Sequence, residues 1–306
     1  MSKIKIICVV GPTASGKTAL SVELAKAING EIISADSMQV YKNMPIATAV
    51  ATEEEKQGVP HHLTEFLDAD KAYSVADFVK DAAEKIKDIS DRGKVPVIAG
   101  GTGLFVDSLA NGVTFGEVGV IQEIRDRLQA LDNEMLYNRL KMLDPQAAED
   151  IHPNNRKRVI RALELCLAGT TKTEQNEKSL LAGSPYDALY IGISYSNRQV
   201  LYDRINRRVD IMLENGLEAE ARNMLNQTGK TACQAIGHKE LTPYINGEIS
   251  YDTAVENLKR ATRRYAKRQL TWFRRNENIN WLIADKMTGD ELVGEAVNLA
   301  KDFIRE

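Results

Sequence analysis

The feature that most constrains the fold lies within the first thirty residues. A short run rich in β-branched residues covers residues 3–10, and a helical pattern covers residues 17–28. Between them stands the segment Gly11-Pro12-Thr13-Ala14-Ser15-Gly16-Lys17-Thr18. A strand, a glycine-bounded turn and a helix in this order are typical of the start of a parallel α/β sheet.

This segment matches G-x-x-x-x-G-K-[ST] in the structural context that the motif requires. The glycines let several backbone N–H groups point at one oxyanion, the helix N-terminus adds partial positive charge, and Lys17 adds a full one. The Thr18 hydroxyl is placed to ligate Mg²⁺. A turn that served only the fold would not explain the Lys-Thr pair. The loop therefore predicts a phosphorylated ligand, but it leaves open which ligand, and whether the phosphate is transferred or leaves.

The rest of the chain alternates strands and helices and is then interrupted. Further strand patterns cover residues 31–35, 95–99 and 188–194, with a helical pattern over 75–89. This alternation predicts an α/β fold, a P-loop NTPase-like parallel sheet flanked by helices. Helical patterns alone occupy the segment between, at residues 121–131, 133–143 and 155–168. We therefore expect a core domain of residues 1–115 and 187–306, an all-helical insertion domain of residues 116–186, and a helical C-terminal third.

A carboxylate follows the second strand, and a glycine-rich turn follows the third. Asp36 begins the segment Asp36-Ser37-Met38-Gln39, and the turn reads Gly100-Gly101-Thr102-Gly103. In open α/β sheets, ligands bind beyond the carboxyl ends of the strands, so Asp36 should face the phosphate loop. There it could position magnesium or accept a proton from a nucleophile. The alternative is that Asp36 only caps the following turn.

The charge distribution divides the chain into unlike halves. The net charge is −3, but residues 1–150 carry 16 Lys and Arg against 23 Asp and Glu, whereas residues 151–306 carry 24 against 20. Residues 259–275 contain eight Lys or Arg and no acid, and further basic clusters lie at 156–161 and 204–208. Each cluster alone is typical of a solvated face. Three together favour a nucleic acid or arginines that clamp phosphates, because unpaired like charges on a helix repel.

Composition excludes several classes of protein. No apolar run approaches the roughly 18 residues of a membrane span, and the N-terminus lacks the pattern of a signal peptide, so we expect a cytoplasmic protein without a membrane partner. The three cysteines lie far apart and predict neither a disulfide framework nor a zinc site. The four histidines have no metal-ligand spacing.

Seven segments together resemble the tRNA dimethylallyltransferases, also called tRNA isopentenyltransferases. They span about residues 5–280 in the order typical of that family, and they read GPTASGKT at 11–18, ADSMQVY at 35–41, GGTGL at 100–104, HPNNRKRVIRALE at 152–164, YDRINRRVDIMLENGL at 202–217, QAIGHKE at 234–240 and TRRYAKRQLTWFRR at 262–275. As a set, these motifs are far more specific than the phosphate loop alone.

The resemblance implies a reaction and its partners. It implies transfer of a dimethylallyl group from dimethylallyl diphosphate to N6 of the adenosine 3′-adjacent to the anticodon, in tRNAs that read codons beginning with U. Diphosphate then leaves from the phosphate loop. The resemblance also implies Mg²⁺ as cofactor, the tRNA anticodon stem-loop as partner, a monomer without an obligate protein partner, and a channel entered by the base and the diphosphate from opposite ends.

The resemblance also assigns roles to residues. Asp36 would be the general base. The loop Gly11–Thr18, with Thr13 and Lys17, would hold the diphosphate together with Arg208, and Thr18 would bind the metal. Ser37, Met38 and Gln39 would line a pocket for the flipped base next to Asp36. Further contacts with tRNA would come from the single residues Thr102 and Arg125 and from two stretches of the chain. These stretches consist of Lys157, Arg158, Val159, Ile160 and Arg161, and of Cys233, Gln234, Ala235, Ile236, Gly237, His238, Lys239 and Glu240. The helical insertion would grip the anticodon stem-loop.

The chain departs from the family pattern at a few positions, and other functions stay open. Residues 46–51 read IATAVA where the family usually has I-G-T-A-K-P, Phe105 replaces a common Tyr, and His238 stands where Tyr or Phe is frequent. The alternatives are an adenylate isopentenyltransferase acting on free AMP, ADP or ATP, a P-loop small-molecule kinase, and a non-catalytic RNA-binding protein.

Overall fold

The computed structural model describes residues 3–113, 115, 122–225 and 232–306. The chain divides into two compact units. The first, called the core unit below, comprises Met1–Ala110 and Tyr186–Glu306, and the second, the helical unit, comprises Asn111–Pro185. The helical unit thus begins at Asn111, whereas the sequence analysis predicts that the insertion begins at residue 116.

Six parallel strands form one sheet in the described part of the core unit. They are β1 (Ile4–Val10), β2 (Gly30–Ser34), β3 (His61–His62), β4 (Val95–Gly100), β5 (Tyr186–Ser194) and β6 (Ile279–Ile283). Their order across the sheet is β3-β2-β4-β1-β5-β6. β1 is central, and its residue Ile7 pairs with Val97 of β4 and with Leu189 of β5.

Helices connect the strands and make up the helical unit. In chain order they are α1 (Lys17–Ala27), α2 (Pro45–Thr48), α3 (Glu53–Lys56), α4 (Val75–Asp91), α5 (Gly103–Ala110), α6 (Gln122–Gln129), α7 (Asn133–Leu143), α8 (Pro145–Asp150), α9 (Arg156–Leu167), α10 (Lys172–Ala182), α11 (Arg198–Glu214), α12 (Leu217–Met224), α13 (His238–Ile245), α14 (Tyr251–Phe273) and α15 (Gly289–Arg305). Within the described residues, none of them combines the length and apolarity that crossing a membrane requires.

The sheet is covered on both faces, because its central strand is apolar on both sides. Ile6 and Cys8 of β1 pack with side chains of α4 and α5, whereas Ile7 and Val9 pack with side chains of α1 and α15. A parallel strand buried on both faces reads as a continuous apolar run, which is how residues 4–10 read in the sequence. The predicted fold class, a parallel α/β sheet flanked by helices, is confirmed.

The sequence analysis missed two strands of the sheet. β3 has only two residues, which pair with Ile32 and Ile33 of β2. β6 pairs with β5 and occupies the other edge, so the expectation of a purely helical C-terminal third is wrong. The segment INWLI alternates buried and exposed positions only weakly, and it follows a long basic helix, which obscured its strand pattern.

The helical unit has an apolar core of its own. Leu136 and Leu140 of α7 pack against Val159 and Leu163 of α9. The pattern predicted at 133–143 is α7, and the pattern at 155–168 is α9 within a residue at each end. The pattern at 121–131 is α6 as far as Gln129, while residue 121 lies outside the described residues.

A buried carboxylate ties the β2 edge of the sheet together. Glu31 of β2 is 2% exposed and accepts hydrogen bonds from Arg92 (2.5 and 2.8 Å), Lys94 (2.7 Å) and His62 (2.8 Å). The hydrogen bond from Arg92, together with those from Lys94 and His62, outweighs burial and holds the pKa of Glu31 well below its ordinary 4.5. Glu31 therefore contributes stability above that value, and the contribution is lost as the pH falls through the lowered pKa.

We expect Glu31→Gln to lower the free energy of unfolding by about 2 kcal/mol at pH 7, because the buried acceptor of Arg92, Lys94 and His62 loses its charge while those partners stay partly hydrated. Urea unfolding followed by tryptophan fluorescence measures this, since both tryptophans, Trp272 and Trp281, belong to the core unit. The difference in the free energy of unfolding between Glu31→Gln and the wild type should become smaller below about pH 4.5. Glu53→Gln, which removes an exposed pair with Lys56, is the matched control and should not move the midpoint. Equal effects of the two substitutions would contradict this account.

Candidate active site

The loop between β1 and α1 has the geometry of an anion site. Gly11 has φ 148°, and a Cβ there would lie 2.8 Å from the Ile193 carbonyl oxygen. Gly16, with φ 96°, precedes α1 without a side-chain cap, so the first N–H groups of this helix have no side-chain acceptor there. Lys17 curls back over the loop and donates from Nζ to the Pro12 carbonyl at 2.7 Å. A helix N-terminus with a lysine above it favours a phosphate group.

Side chains from three other elements hold this loop from outside. Tyr195 Oη donates to the Ser15 carbonyl at 3.3 Å, and Arg204 Nε donates to the Ala14 carbonyl at 3.0 Å. Gln269 of α14 is 5% exposed; its Oε1 accepts the Thr13 N–H at 2.8 Å, and its Nε2 donates to the Gly101 carbonyl at 3.0 Å. Gln269 thereby joins the phosphate loop to the glycine-rich turn after β4.

The ends of β2 and β4 meet beside this loop. A Cβ on Gly100 would lie 2.2 Å from the Ala35 carbonyl oxygen, so only glycine allows this approach. The Thr102 N–H donates to the Ala35 carbonyl at 3.2 Å, and the Ser37 N–H donates to Thr102 Oγ1 at 3.0 Å. These bonds fix the backbone on both sides of Asp36, whose Oδ1 accepts the Met38 N–H at 2.9 Å. Asp36 thus caps its turn, as the alternative interpretation expected, and it also lines the cavity described next.

A cavity of about 760 Å³ lies in the core unit at the carboxyl ends of these strands. Fourteen predicted site residues line it: Thr13, Ala14, Ser15, Gly16, Lys17, Thr18, Asp36, Ser37, Met38, Gln39, Arg208, Gln234, Ala235 and Ile236. Its volume is in the range of small-molecule sites in proteins. The cavity therefore brings together the predicted diphosphate residues, the predicted general base and part of the predicted base pocket.

The charged groups of this cavity are perturbed by burial and by one another. Burial raises the pKa of Asp36, against the opposing effects of the Met38 N–H and of the charges on Lys17 and Arg208. Burial, and next the neighbouring Arg208, lower the pKa of Lys17 to about 7. Burial also lowers the pKa of Arg208, while Asp36 and Glu55 oppose this. Ionisable groups whose pKa values are shifted by burial and specific partners are typical of functional sites.

Several predicted residues lie away from this cavity. Cys233, Gly237, His238, Lys239, Glu240, Gly11, Pro12 and Thr102 are in the core unit but do not line the cavity. His238 is 5% exposed, and its Nε2 faces the Glu220 carboxylate at 2.8 Å. Glu240 Oε2 accepts the Gly237 N–H at 3.0 Å and so caps the start of α13. The tRNA contacts of these residues stay predictions.

The predicted tRNA residues of the helical unit are of three kinds. Arg125 donates from Nε and Nη2 to Glu164 at 2.5 and 3.0 Å, and Arg161 donates to the same carboxylate at 3.1 Å. The side chains of Val159 and Ile160 are buried in the core of the unit, so only their backbone can meet RNA. Lys157 and Arg158 are exposed at the start of α9, where their charges can reach a polyanion.

The basic helix α14 presents two different faces. The predicted stripe is partly compensated, because Lys259 pairs with Asp210 at 2.7 Å and Arg263 donates to the Asn206 side chain at 2.6 Å. Arg264 and Lys267 are exposed. The opposite face carries residues that the sequence analysis did not assign to the site but that line the cavity: Thr262, Tyr265, Arg268 and Gln269. The sequence signal was the four-residue spacing of Tyr265 and Gln269 within the basic run, which places these two residues on one face of a helix.

The fold and the site together define an α/β protein with a parallel sheet, in which the glycine-bounded loop between β1 and α1 shares a cavity with the half-buried carboxylate of Asp36. Comparison with known proteins identifies the family. The sequence profile of the IPP transferase family matches residues 39–276. A tRNA dimethylallyltransferase of Staphylococcus haemolyticus is 47% identical over 304 residues, which cover 96% of this chain and 91% of that protein. One of Staphylococcus aureus (strain Newman) is 47% identical and covers 97% and 98%, respectively.

Solved structures agree with the sequence comparison. The crystal structure of a tRNA delta(2)-isopentenylpyrophosphate transferase from Staphylococcus epidermidis is similar, with a TM-score of 0.73, 45% identity and coverage of 98% of this chain and 100% of that one. A eukaryotic dimethylallyltransferase acting on tRNA has a TM-score of 0.86, 31% identity and coverage of 99% and 80%. The chain belongs to the IPP transferase family.

The lowered pKa of Lys17 predicts a specific pH dependence of anion binding. The free protein holds the Lys17 proton with a pKa of about 7, and a bound anion needs that proton, so binding weakens as the pH rises above 7. Lys17→Arg keeps a charge that does not titrate in this range. We expect the ratio of wild-type to Lys17→Arg affinity for inorganic pyrophosphate to fall about tenfold per pH unit above 7. Calorimetric titration of both proteins from pH 6 to 9 measures this ratio, which cancels the ionisation of pyrophosphate itself. A constant ratio would refute the lowered pKa.

Proposed function

We propose that this protein transfers a dimethylallyl group from dimethylallyl diphosphate to N6 of the adenosine 3′-adjacent to the anticodon in tRNAs that read codons beginning with U. The observation that carries the proposal is the shared cavity, in which the phosphate loop with Lys17 and Arg208 faces the same space as the half-buried Asp36. The relatives named as tRNA dimethylallyltransferases support the substrate class. A tRNA substrate also fits the cytoplasmic location expected from the sequence.

The loop residues would bind and stabilise the leaving group. In the reaction the N6–C bond forms while the bond from the allylic carbon to the diphosphate oxygen breaks, and diphosphate leaves with that electron pair. The charge that develops on the diphosphate would be met by Lys17, by Arg208 and by the N–H groups at the start of α1. Thr13 lines the cavity beside them. Preorganised donors of this kind each contribute roughly 10²- to 10³-fold to a rate.

Asp36 would act on the other partner. An exocyclic amine is a weak nucleophile, and a carboxylate that accepts its proton strengthens it. Burial raises the pKa of Asp36, which makes its carboxylate a stronger base than a solvated aspartate while Lys17 and Arg208 favour its ionised form. Ser37 and Met38 line the cavity next to it and would contact the base, which has to leave the anticodon-loop stack to enter.

The residues present fit a magnesium ion bound mainly by the substrate. Among the described residues no group of three or more His, Cys, Asp or Glu side chains could hold a metal. Mg²⁺ is commonly bound by one or two protein oxygens together with substrate phosphates and water, and the Thr18 hydroxyl lines the cavity next to Lys17. When bound, the ion would neutralise part of the diphosphate charge.

RNA binding would use both units. Lys157 and Arg158 of the helical unit and the exposed face of α14 in the core unit would contact phosphates of the anticodon stem-loop, with the helical unit gripping the stem. Thr102, Arg125 and the stretch Cys233–Glu240 are further proposed contacts. The protein needs no second protein chain for this arrangement, so we propose that it acts as a monomer.

One assay separates this function from its alternatives. The protein is incubated with Mg²⁺, labelled dimethylallyl diphosphate and either an anticodon stem-loop containing A-A-A or free AMP. We expect label in the RNA only. Label in AMP would identify an adenylate isopentenyltransferase, and label in neither would leave a kinase or a non-catalytic RNA-binding protein.

The role of Asp36 is tested by Asp36→Asn. Asparagine keeps an oxygen that accepts the Met38 N–H, so the turn is preserved while the base is lost. We expect turnover to fall by at least about 100-fold, with RNA affinity retained, because general-base catalysis contributes about 10²- to 10⁴-fold. Single-turnover transfer and filter binding measure the two quantities. Asp70→Asn, at an exposed site, is the control, and near-normal turnover of Asp36→Asn would refute the role.

The role of α14 is tested by removing two exposed charges, with Arg264→Gln and Lys267→Gln combined. Each lost phosphate contact should lower the slope of log affinity against log salt by about 0.7 to 0.9, so the double variant should lose about 1.4 to 1.8. Stem-loop binding is measured between 50 and 300 mM salt, and Lys80→Gln on the exposed part of α4 is the control. A slope equal to that of the wild type would place the RNA elsewhere.

A further inference from the structure

Three hydrogen bonds converge on one buried carboxylate outside the residues assigned above. Glu220 of α12 is 9% exposed. Its Oε2 accepts the Ile46 N–H at 2.8 Å, and its Oε1 accepts the Ala47 N–H at 2.9 Å. His238 Nε2 lies 2.8 Å from Oε1. An ionised carboxylate only accepts, so His238 donates through Nε2.

Glu220 supplies the cap that α2 lacks. This short helix begins after Met44 without a side-chain cap, and its first residue, Pro45, has no N–H group. Ile46 and Ala47 therefore carry its first two backbone donors, and both bond to Glu220, which is 174 residues away from Ile46 in the chain. Because backbone donors without acceptors are costly away from water, these two bonds to Glu220 help to fix the position of α2.

The other end of α2 holds a residue of the proposed base pocket. The Thr48 and Ala49 carbonyls both accept from Gln39 Nε2 at 3.2 Å. Ser34 Oγ donates to Gln39 Oε1 at 2.7 Å. The amide of Gln39 is thus engaged at both ends, and the position of α2 fixes this side chain three residues from Asp36. Gln39, Thr48 and Ala49 all line the cavity.

His238 anchors a second wall of the same cavity. It begins α13 and is separated by one glycine from the segment Gln234–Ile236, whose residues line the cavity. Gly237 between them has φ 117°, and a Cβ there would lie 3.5 Å from the Ala47 Cβ. The wall around residues 234–236 and the wall around residues 47–49 therefore both attach to Glu220.

We propose that Glu220 and His238 are positioning residues that hold these two walls at a fixed spacing and so set the affinity for the adenosine-containing RNA. The inference rests on the proposed function for the identity of that ligand. The phosphate loop is held separately, by Tyr195, Arg204 and Gln269, and in the described part of the chain none of these bonds to Glu220 or His238. Loosening the two walls should therefore affect the RNA and spare the diphosphate.

The matched substitutions are His238→Phe and His238→Gln. Phenylalanine fills the ring volume and removes the donor, whereas the glutamine Nε2 can occupy the place of the imidazole Nε2. For His238→Phe we expect the KM for the stem-loop to rise about tenfold, the effect of losing one hydrogen bond to a charged group. The KM for dimethylallyl diphosphate and kcat should stay within about twofold. His238→Gln should restore most of the affinity for the stem-loop.

The pattern of the kinetic constants decides between positioning and general stability. An unchanged KM for the stem-loop in His238→Phe would overturn the proposal. So would a parallel loss in kcat and both KM values that His238→Gln does not correct, since this is the signature of a merely structural residue. Should His238→Phe fail to fold, Glu220→Asp shortens the carboxylate instead, and the same split between the two KM values is expected.

A readout without catalysis separates this proposal from the proposed function. Hydrogen–deuterium exchange of peptides covering residues 44–52 should be faster in His238→Phe than in the wild type and in His238→Gln, because the cap of α2 is weakened. A peptide covering residues 8–20 is the internal control and should not change. If exchange at residues 44–52 is faster in His238→Phe but the wild-type protein transfers no prenyl group, only the proposed function is refuted. Equal exchange in the wild type, His238→Phe and His238→Gln would refute the positioning role.

Discussion

The site depends on the close approach of two strand ends that only glycine permits. A side chain at Gly100 would overlap the Ala35 carbonyl, which stands 2.2 Å from the position of its Cβ. With glycine there, the Ala35 N–H and carbonyl bond to Ala99 and Thr102 at 2.9 and 3.2 Å, and the chain leaves β2 directly beside the end of β4. Since β4 also pairs with β1, Asp36 comes to the cavity of the phosphate loop. The backbone position of the proposed base thus follows from the packing of the strand ends, and the Met38 N–H then holds its carboxylate.

This arrangement places charges of both signs where water is scarce, and the cost of removing them from water is reflected in their pKa values. Burial raises the pKa of Asp36 and lowers the pKa values of Lys17 and Arg208, so it favours the neutral form of each group. The opposite charges within the cavity oppose these shifts. Among the side chains that line the cavity, five from Lys and Arg (Lys17, Arg204, Arg207, Arg208 and Arg268) outnumber the two carboxylates of Asp36 and Glu55, and the N-terminus of α1 adds to this excess of positive charge. A diphosphate would compensate this excess of positive charge, so the charge distribution of the free protein favours binding of a polyanion. Ligand binding and protonation of Lys17 are therefore coupled.

Much of the fold could be predicted from the sequence because its central strands are continuous apolar runs beside a diagnostic loop. The edges were harder, since β3 has two residues and β6 is a five-residue strand that follows a basic helix. Of the site, the phosphate loop and Asp36 are local in sequence and could be predicted, whereas their roles come from the resemblance and stay proposals. Gln269 and Glu220 could not be assigned, because each acts through partners more than 15 residues away, and a polar residue within a charged helix resembles a surface residue until its neighbours are known. His238 was predicted as a tRNA contact, but its bond to Glu220 could not be predicted.

The helix α14 shows why a basic run need not have a single purpose. Its exposed residues, including Lys267, offer charge to a polyanion, while Gln269 on the buried side holds the phosphate loop to the turn after β4. Lys267 and Gln269 lie two residues apart, about 3 Å along the axis of a stiff helix, so a force on the exposed face reaches the loop without any change of fold. RNA bound to α14 would therefore also restrain the loop that holds the diphosphate. Affinity for the two substrates would then be coupled through this helix, and the coupling would be equal in both directions, as thermodynamic linkage requires.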